Sequence, residues 1–134
     1  MTALTADRNT PRRENRSIES HPVQGGVTIF AGSLVCLNVA RNAIPGATGV
    51  GLLAVGRAEH RRTSAVTGDV RVTVRRGVFP FANSAAGEAI TRADIGAQAY
   101  VVDDQTLAKT NGGGTRSAAG IIRDVDAQGV WVEI

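Results

Sequence analysis

A chain of 134 residues is a one-domain length, long enough for a modest hydrophobic core but not for two. Aromatics make up only 4%, so the core must come from Val, Ile, Leu and Ala, and sixteen glycines favour strands and turns over long helices. A net charge of +3, with fourteen arginines and one lysine, does not demand a nucleic-acid partner, and the single cysteine excludes an intrachain disulfide and a cysteine-based zinc site.

Residues 1–24 carry Arg8, Arg12, Arg13 and Arg16 against Asp7, Glu14 and Glu19, with Pro11 and Pro22 as breakers and few apolar positions. Such a segment cannot repay the entropy of ordering itself. It reads as an extended N-terminal arm that orders on a partner, or as a frayed terminus. Its arginines are the candidate contacts to that partner. No apolar h-region follows them, as a secretory signal would need, and no apolar run approaches the ~20 residues of a membrane span. The chain is expected to be soluble and made in the cytoplasm.

The body is placed at residues 25–134. Val27-Thr28-Ile29-Phe30 is a short strand and residues 33–40 a second, holding Cys36 as a buried small hydrophobe. Residues 42–49 form a connection. Residues 50–58 are apolar, with Gly51 and Gly56 allowing a bulge or a close backbone approach. Residues 59–68 read as a polar loop with His60, Arg61 and Arg62. From Val70 to Arg75 the alternation is clean: Val70, Val72 and Val74 face inward, Arg71, Thr73 and Arg75 outward. Phe79 and Phe81 flank Pro80 as packing residues. One short helical turn is expected near Thr91 to Ile95, with Thr91 as N-cap and Gly96 as stop. Tyr100-Val101-Val102 pairs with residues 106–110 as a hairpin. A last hairpin flanks Asp126-Ala127-Gln128-Gly129, with Val130, Val132 and Ile134 inward and Trp131 and Glu133 outward. The fold class is therefore mainly β, a small barrel or sandwich with at most one short helix.

Candidate chemistry is sparse. Asp103-Asp104 and Asp124-x-Asp126 sit where strands end, the ordinary place of Asp as a turn former, and a calcium site needs more oxygens than either offers. Gly112-Gly113-Gly114 lacks the Lys and the helix of a phosphate-binding loop. His21 and His60 stand alone, with no nucleophile and base in sequence to suggest catalysis. No enzyme activity, metal or cofactor is expected. Arg71, Arg75, Arg76 and Trp131 are the body's candidate interface residues, because an Arg fork suits carboxylates across a protein surface. A single-strand nucleic-acid-binding barrel is the alternative, though such barrels use stacking aromatics that this chain largely lacks.

Several stretches bear a more specific likeness: Ala6-Asp7-Arg8-Asn9-Thr10-Pro11-Arg12-Arg13, Val74-Arg75-Arg76-Gly77-Val78-Phe79, Phe81-Ala82-Asn83-Ser84 and Ile90-Thr91-Arg92-Ala93-Asp94-Ile95-Gly96. With Tyr100-Val101-Val102-Asp103-Asp104-Gln105-Thr106, Arg116-Ser117-Ala118-Ala119-Gly120 and residues 124–132, they span nearly the whole chain. Together they resemble a small protein of Mu-like phages and prophages that lies beside the major head subunit. The resemblance implies a head decoration (cement) protein: a β module, trimeric in the lambda-like class, on the outside of the virion capsid. Its partners would be the major capsid protein and copies of itself, with the N-terminal arm ordering on the shell.

Overall fold

In a computed structural model, which describes residues 2–11 and 17–134, the chain is mainly β and forms a single small domain. Twelve strands are defined among the described residues. β1 (Ile18–Pro22), β3 (Leu34–Leu37), β4 (Ala43–Pro45), β5 (Leu53–Ala58) and β7 (Arg71–Arg75) make an antiparallel sheet in the order β1-β7-β5-β3-β4. Its two edges approach each other through a bridge between Val23 and Ala43. β2 (Thr28–Ile29) pairs with β6 (Arg62–Thr63) as a small ribbon. β8 (Val78–Asn83), β9 (Gln98–Val101), β10 (Thr106–Ala108), β11 (Ala118–Asp126) and β12 (Gly129–Glu133) close a barrel in the order β10-β8-β12-β11-β9. All its pairs are antiparallel except β10 with β8.

Strand β3 explains how sheet and barrel share one domain. All four residues of Leu34-Val35-Cys36-Leu37 are buried, because alternate side chains serve two cores. Leu34 and Cys36 pack with the barrel interior, made of Phe79, Phe81, Val101, Leu107, Ile122, Val130 and Val132 among others. Val35 and Leu37 pack on the other side with Val23, Ile29, Val55, Val72 and Val74. Burial pushes the Cys36 thiol up to about 11, against a smaller opposing pull from the Ala47 backbone.

The alternation of Val70 to Arg75 holds: Val72 and Val74 are fully buried, Val70 is half-buried, and Arg71 is exposed. Val72→Ala is expected to cost roughly 1–3 kcal/mol through lost burial and a residual cavity, and Arg71→Ala much less. Urea unfolding of the two variants checks this; equal losses would contradict the facing. The last hairpin turns through Ala127-Gln128, with Asp126 opposite Gly129 and the Gln128 amide donating to Asp126 Oδ1 at 2.8 Å. The helical turn near Thr91 is a 3-10 turn, Arg92–Asp94; the Thr91 amide donates to Asp94 Oδ2 at 2.8 Å, and Gly96 follows at φ +95°. A second single turn, Ala86–Glu88, precedes it.

Three boundaries differ from the sequence reading. The body begins at Ile18, not at Gly25, because β1 pairs with β7 along its whole length and Val23 is fully buried. The reading missed β1 because only Ile18 and Pro22 in Ile-Glu-Ser-His-Pro are apolar. Strand β4 lies inside the expected connection 42–49, and β6 inside the expected loop 59–68; at three and two residues, both are too short to carry a periodicity.

Candidate interaction surface

Strand alternation places Arg71, Thr73 and Arg75 on the outer face of β7, opposite Pro22, Ser20 and Ile18 of β1. Arg57 on β5 stands beside Arg75. The arginines are held by two carboxylates. Glu59 takes Arg57 at 2.7 Å and Arg75 at 3.4 Å, while Glu19 takes Arg76 at 2.7 Å and His21 at 3.0 Å. The Arg57 guanidinium also lies 4.4 Å from the centre of the Phe79 ring, a cation–π contact that ties sheet to barrel. Arg71 donates to the hydroxyl and the carbonyl of Ser20. The structure thus puts Arg71 and Arg75 on one face of β7, while Arg76 reaches Glu19 on the other, the face of Val72 and Val74. Their forks are partly engaged within the molecule, and the acids that hold them come from segments remote in sequence.

The Arg57 hydrogen bond, against an opposing desolvation, holds the Glu59 carboxyl below its ordinary range. At Glu19 partial burial raises the pKa, but hydrogen bonds and charge from Arg76 and His21 outweigh it, and the net direction is downward. A carboxylate depressed on folding contributes stability above its unfolded pKa and loses it as pH falls through the folded value. Below about pH 4.5 a part of the stability is therefore expected to fade, and Glu19→Gln should remove that part of the slope. Urea midpoints of wild type and variant across an acid titration check this; parallel curves would contradict it.

The two histidines are not alone. His21 bonds Glu19, and His60 accepts the Thr73 amide through Nε2 at 3.2 Å, a role open only to the neutral ring. With Arg62 Nε donating to the Arg71 carbonyl at 3.0 Å, these contacts complete β7 where β5 no longer runs beside it.

Trp131 sits on the outside of the barrel, opposite Pro80 of β8 and Asp124 of β11, with Val78 exposed nearby. It is half-buried, its indole Nε1 has no hydrogen-bond partner among the described residues, and ion pairs Arg92–Asp124 (2.5 Å) and Arg123–Glu133 (3.1 Å) flank it. Residues 2–11, Arg8 among them, are exposed throughout and form neither helix nor strand. Arg12, Arg13 and Arg16 lie outside the described residues.

Asp103 and Asp126 act as turn formers, but Asp124 lies within β11 rather than at its end. Asp103 Oδ1 accepts the Gln105 amide at 2.9 Å, and Asp124 holds Arg92 and the Val125 amide. Burial, then the neighbouring Asp103 charge, raises the Asp104 pKa. Among the described residues no group of three or more His, Cys, Asp or Glu is placed to hold a metal ion, and no helix is long and apolar enough to cross a membrane. The sequence reading missed an open groove of about 450 Å³ lined by Phe30, Ser33, Asp104 and Gln105. There Phe30 is 52% exposed under the Arg61 guanidinium, 5.1 Å from its ring centre. Neither side of the groove carries a motif, so only the fold joins them.

Comparison with protein-family models, with curated proteins and with solved structures finds no match to the chain.

Proposed function

We propose that the chain is a virion structural protein of Mu-like phages and prophages, one that binds the outside of the head and stabilises the capsid lattice. The observation that carries this reading is the union of two parts. A closed β body is preceded by an exposed segment, 2–11, that takes no part in its strands. That segment leads toward β1, an edge strand, so arm and edge together offer a shell several points of contact, and linked contacts strengthen one another. The likeness to head decoration proteins across nearly the whole sequence supports the same reading. Its partners are the major capsid protein and further copies of the chain, as a trimer on the capsid surface. No catalytic step is involved.

Phe30 beneath Arg61 favours the second reading, a single-strand nucleic-acid-binding barrel, because an exposed ring with a cation beside it is a stacking platform. Co-sedimentation with assembled heads, run beside oligonucleotide binding over a salt series, separates the two. Head binding without salt-sensitive oligonucleotide binding is expected. The reverse pattern would install the second reading, since phosphate contacts weaken steeply with salt.

A further inference from the structure

Strand β3 ends in two unlike surfaces. Past its C-terminal end, residues 38–42 turn beside the segment that enters β5, and the two make an apolar tip: Val39 is 79% exposed, Val50 66% and Leu53 47%. Val39 and Gly51 lie so close that a Cβ on Gly51 would meet Val39 Cγ1 at 3.1 Å. The turn is fixed in advance: the Arg41 amide donates to the Asn38 carbonyl at 2.8 Å, Asn38 Oδ1 accepts the Asn42 amide at 3.0 Å, and Arg41 is held at φ +64°. A surface fixed in advance loses little entropy on docking. From Leu37 to Gly56 Arg41 is the one charged residue, in a chain that is 20% charged. Its guanidinium has no hydrogen-bond or ion-pair partner among the described residues. Exposed apolar side chains in a stretch stripped of charge mark a contact surface rather than a solvated turn.

Ahead of the N-terminal end of β3 lies the groove of Phe30, Ser33, Asp104 and Gln105. Its walls are tied by the Leu34 amide, which donates to the Asp104 carbonyl at 2.8 Å, and by Ser33 Oγ, which donates to the Phe30 carbonyl at 2.8 Å. Arg61 covers one side of the Phe30 ring. The Asp104 carboxyl enters no ion pair among the described residues, and burial beside Asp103 raises its pKa, the mark of an acid short of a cation. The four residues of β3 hold tip and groove about 15 Å apart, at ~3.3 Å per residue, so one copy cannot join its own.

We propose that the tip of one copy docks in the groove of a second copy, head to tail. The chemistry matches in both parts. Val39 packs on the open side of the Phe30 ring, and the Arg41 guanidinium meets the Asp104 carboxylate, so a lone cation and a lone acid satisfy each other as apolar surface is buried. The contact is heterologous: every pair of copies leaves one tip and one groove free, and association continues until a ring closes. Three is the smallest ring it can close. This contact rests on the self-association in the reading above but needs no capsid, so head binding can stand if it fails.

The test is molar mass in solution, by size exclusion with light scattering, over a concentration series. The wild-type chain is expected to pass beyond the mass of a pair as concentration rises. Val39→Glu, which spoils the tip, and Phe30→Ala, which spoils the groove, should each hold the monomer mass; both side chains are exposed, so the fold stands. Mixed in equal amounts, the two variants should form a pair of twice the monomer mass and stop there, because one intact groove then meets one intact tip. Arg41→Glu mixed with Asp104→Asn should do the same through charge alone. A wild type of monomer mass throughout, or variants that stay single when mixed, would overturn the contact. Loss of association on removing residues 2–11 would give the groove to the arm, and would overturn it too.

Discussion

Removing residues 2–24 is expected to unfold the body, while removing residues 2–11 leaves its melting temperature unchanged. The longer deletion takes away β1, paired with β7 from Ile18 to Pro22, and with it Val23, fully buried in the second core. It also removes the Val23 amide bond to Val70, the Gln24 amide bond to Ala43, and the Glu19 carboxylate that holds Arg76 and His21. Losing one buried Val costs about 1.5–3 kcal/mol, and each backbone bond adds roughly 1 kcal/mol. Summed over a strand, the loss approaches the ~5–15 kcal/mol that hold a domain of this size together. The shorter deletion removes only exposed chain. Its expected effect is instead weaker attachment to heads. Circular dichroism melts and head co-sedimentation of both truncations decide the matter. A folded 25–134 fragment would contradict the role given to β1, and undiminished head binding without residues 2–11 would reduce that segment to a frayed end.

Gly129→Ala and Gly56→Ala are expected to destabilise the protein by about 3 kcal/mol or more each, the sum of strain at a backbone conformation that L side chains avoid and of overpacking against a fixed carbonyl. Gly129 opens β12 at φ +128°, and a Cβ there would overlap the carbonyl oxygen of Phe81 on the neighbouring strand β8. Gly56 lies at φ +142° where the β3–β5 register shifts, and its Cβ would overlap the carbonyl oxygen of Arg75. In both cases the obstacle is backbone, which cannot swing aside as a side chain does. Gly87, with open space around its Cβ position and no positive φ, is the control, and its change to Ala should move stability little. Urea midpoints of the three variants check this, and a near-neutral Gly129→Ala would mean that the barrel hairpin adopts another path.

What the sequence disclosed follows from how each strand is buried. β7 and β12 have one wet face and one dry face, so Val-x-Val-x alternation marked them, and the hairpin of β11 and β12 carried its own turn residues. β3 showed as an apolar run because both its faces are covered. β1 did not show, since Glu19 and His21, which share a face with Val74 and Val72, are satisfied by Arg76 and by each other rather than by apolar packing. Of the interface candidates, the outward facing of Arg71, Arg75 and Trp131 was legible from period two alone. Their partners were not: Glu19 meets Arg76, and Ser20 meets Arg71, only because a strand far back in the chain returns beside β7. The groove of Phe30 and Asp104 was hidden for the same reason, as two turns remote in sequence meet only in the fold.

The most direct measurement of the head-binding reading is an electron cryo-microscopy reconstruction of Mu-like phage heads assembled with and without this chain. The added density should lie on the outer surface at the local symmetry axes of the lattice, fit the β body of residues 18–134, and continue as an extended arm along the major capsid protein. Identical reconstructions, or added density confined to the inside of the shell, would contradict it.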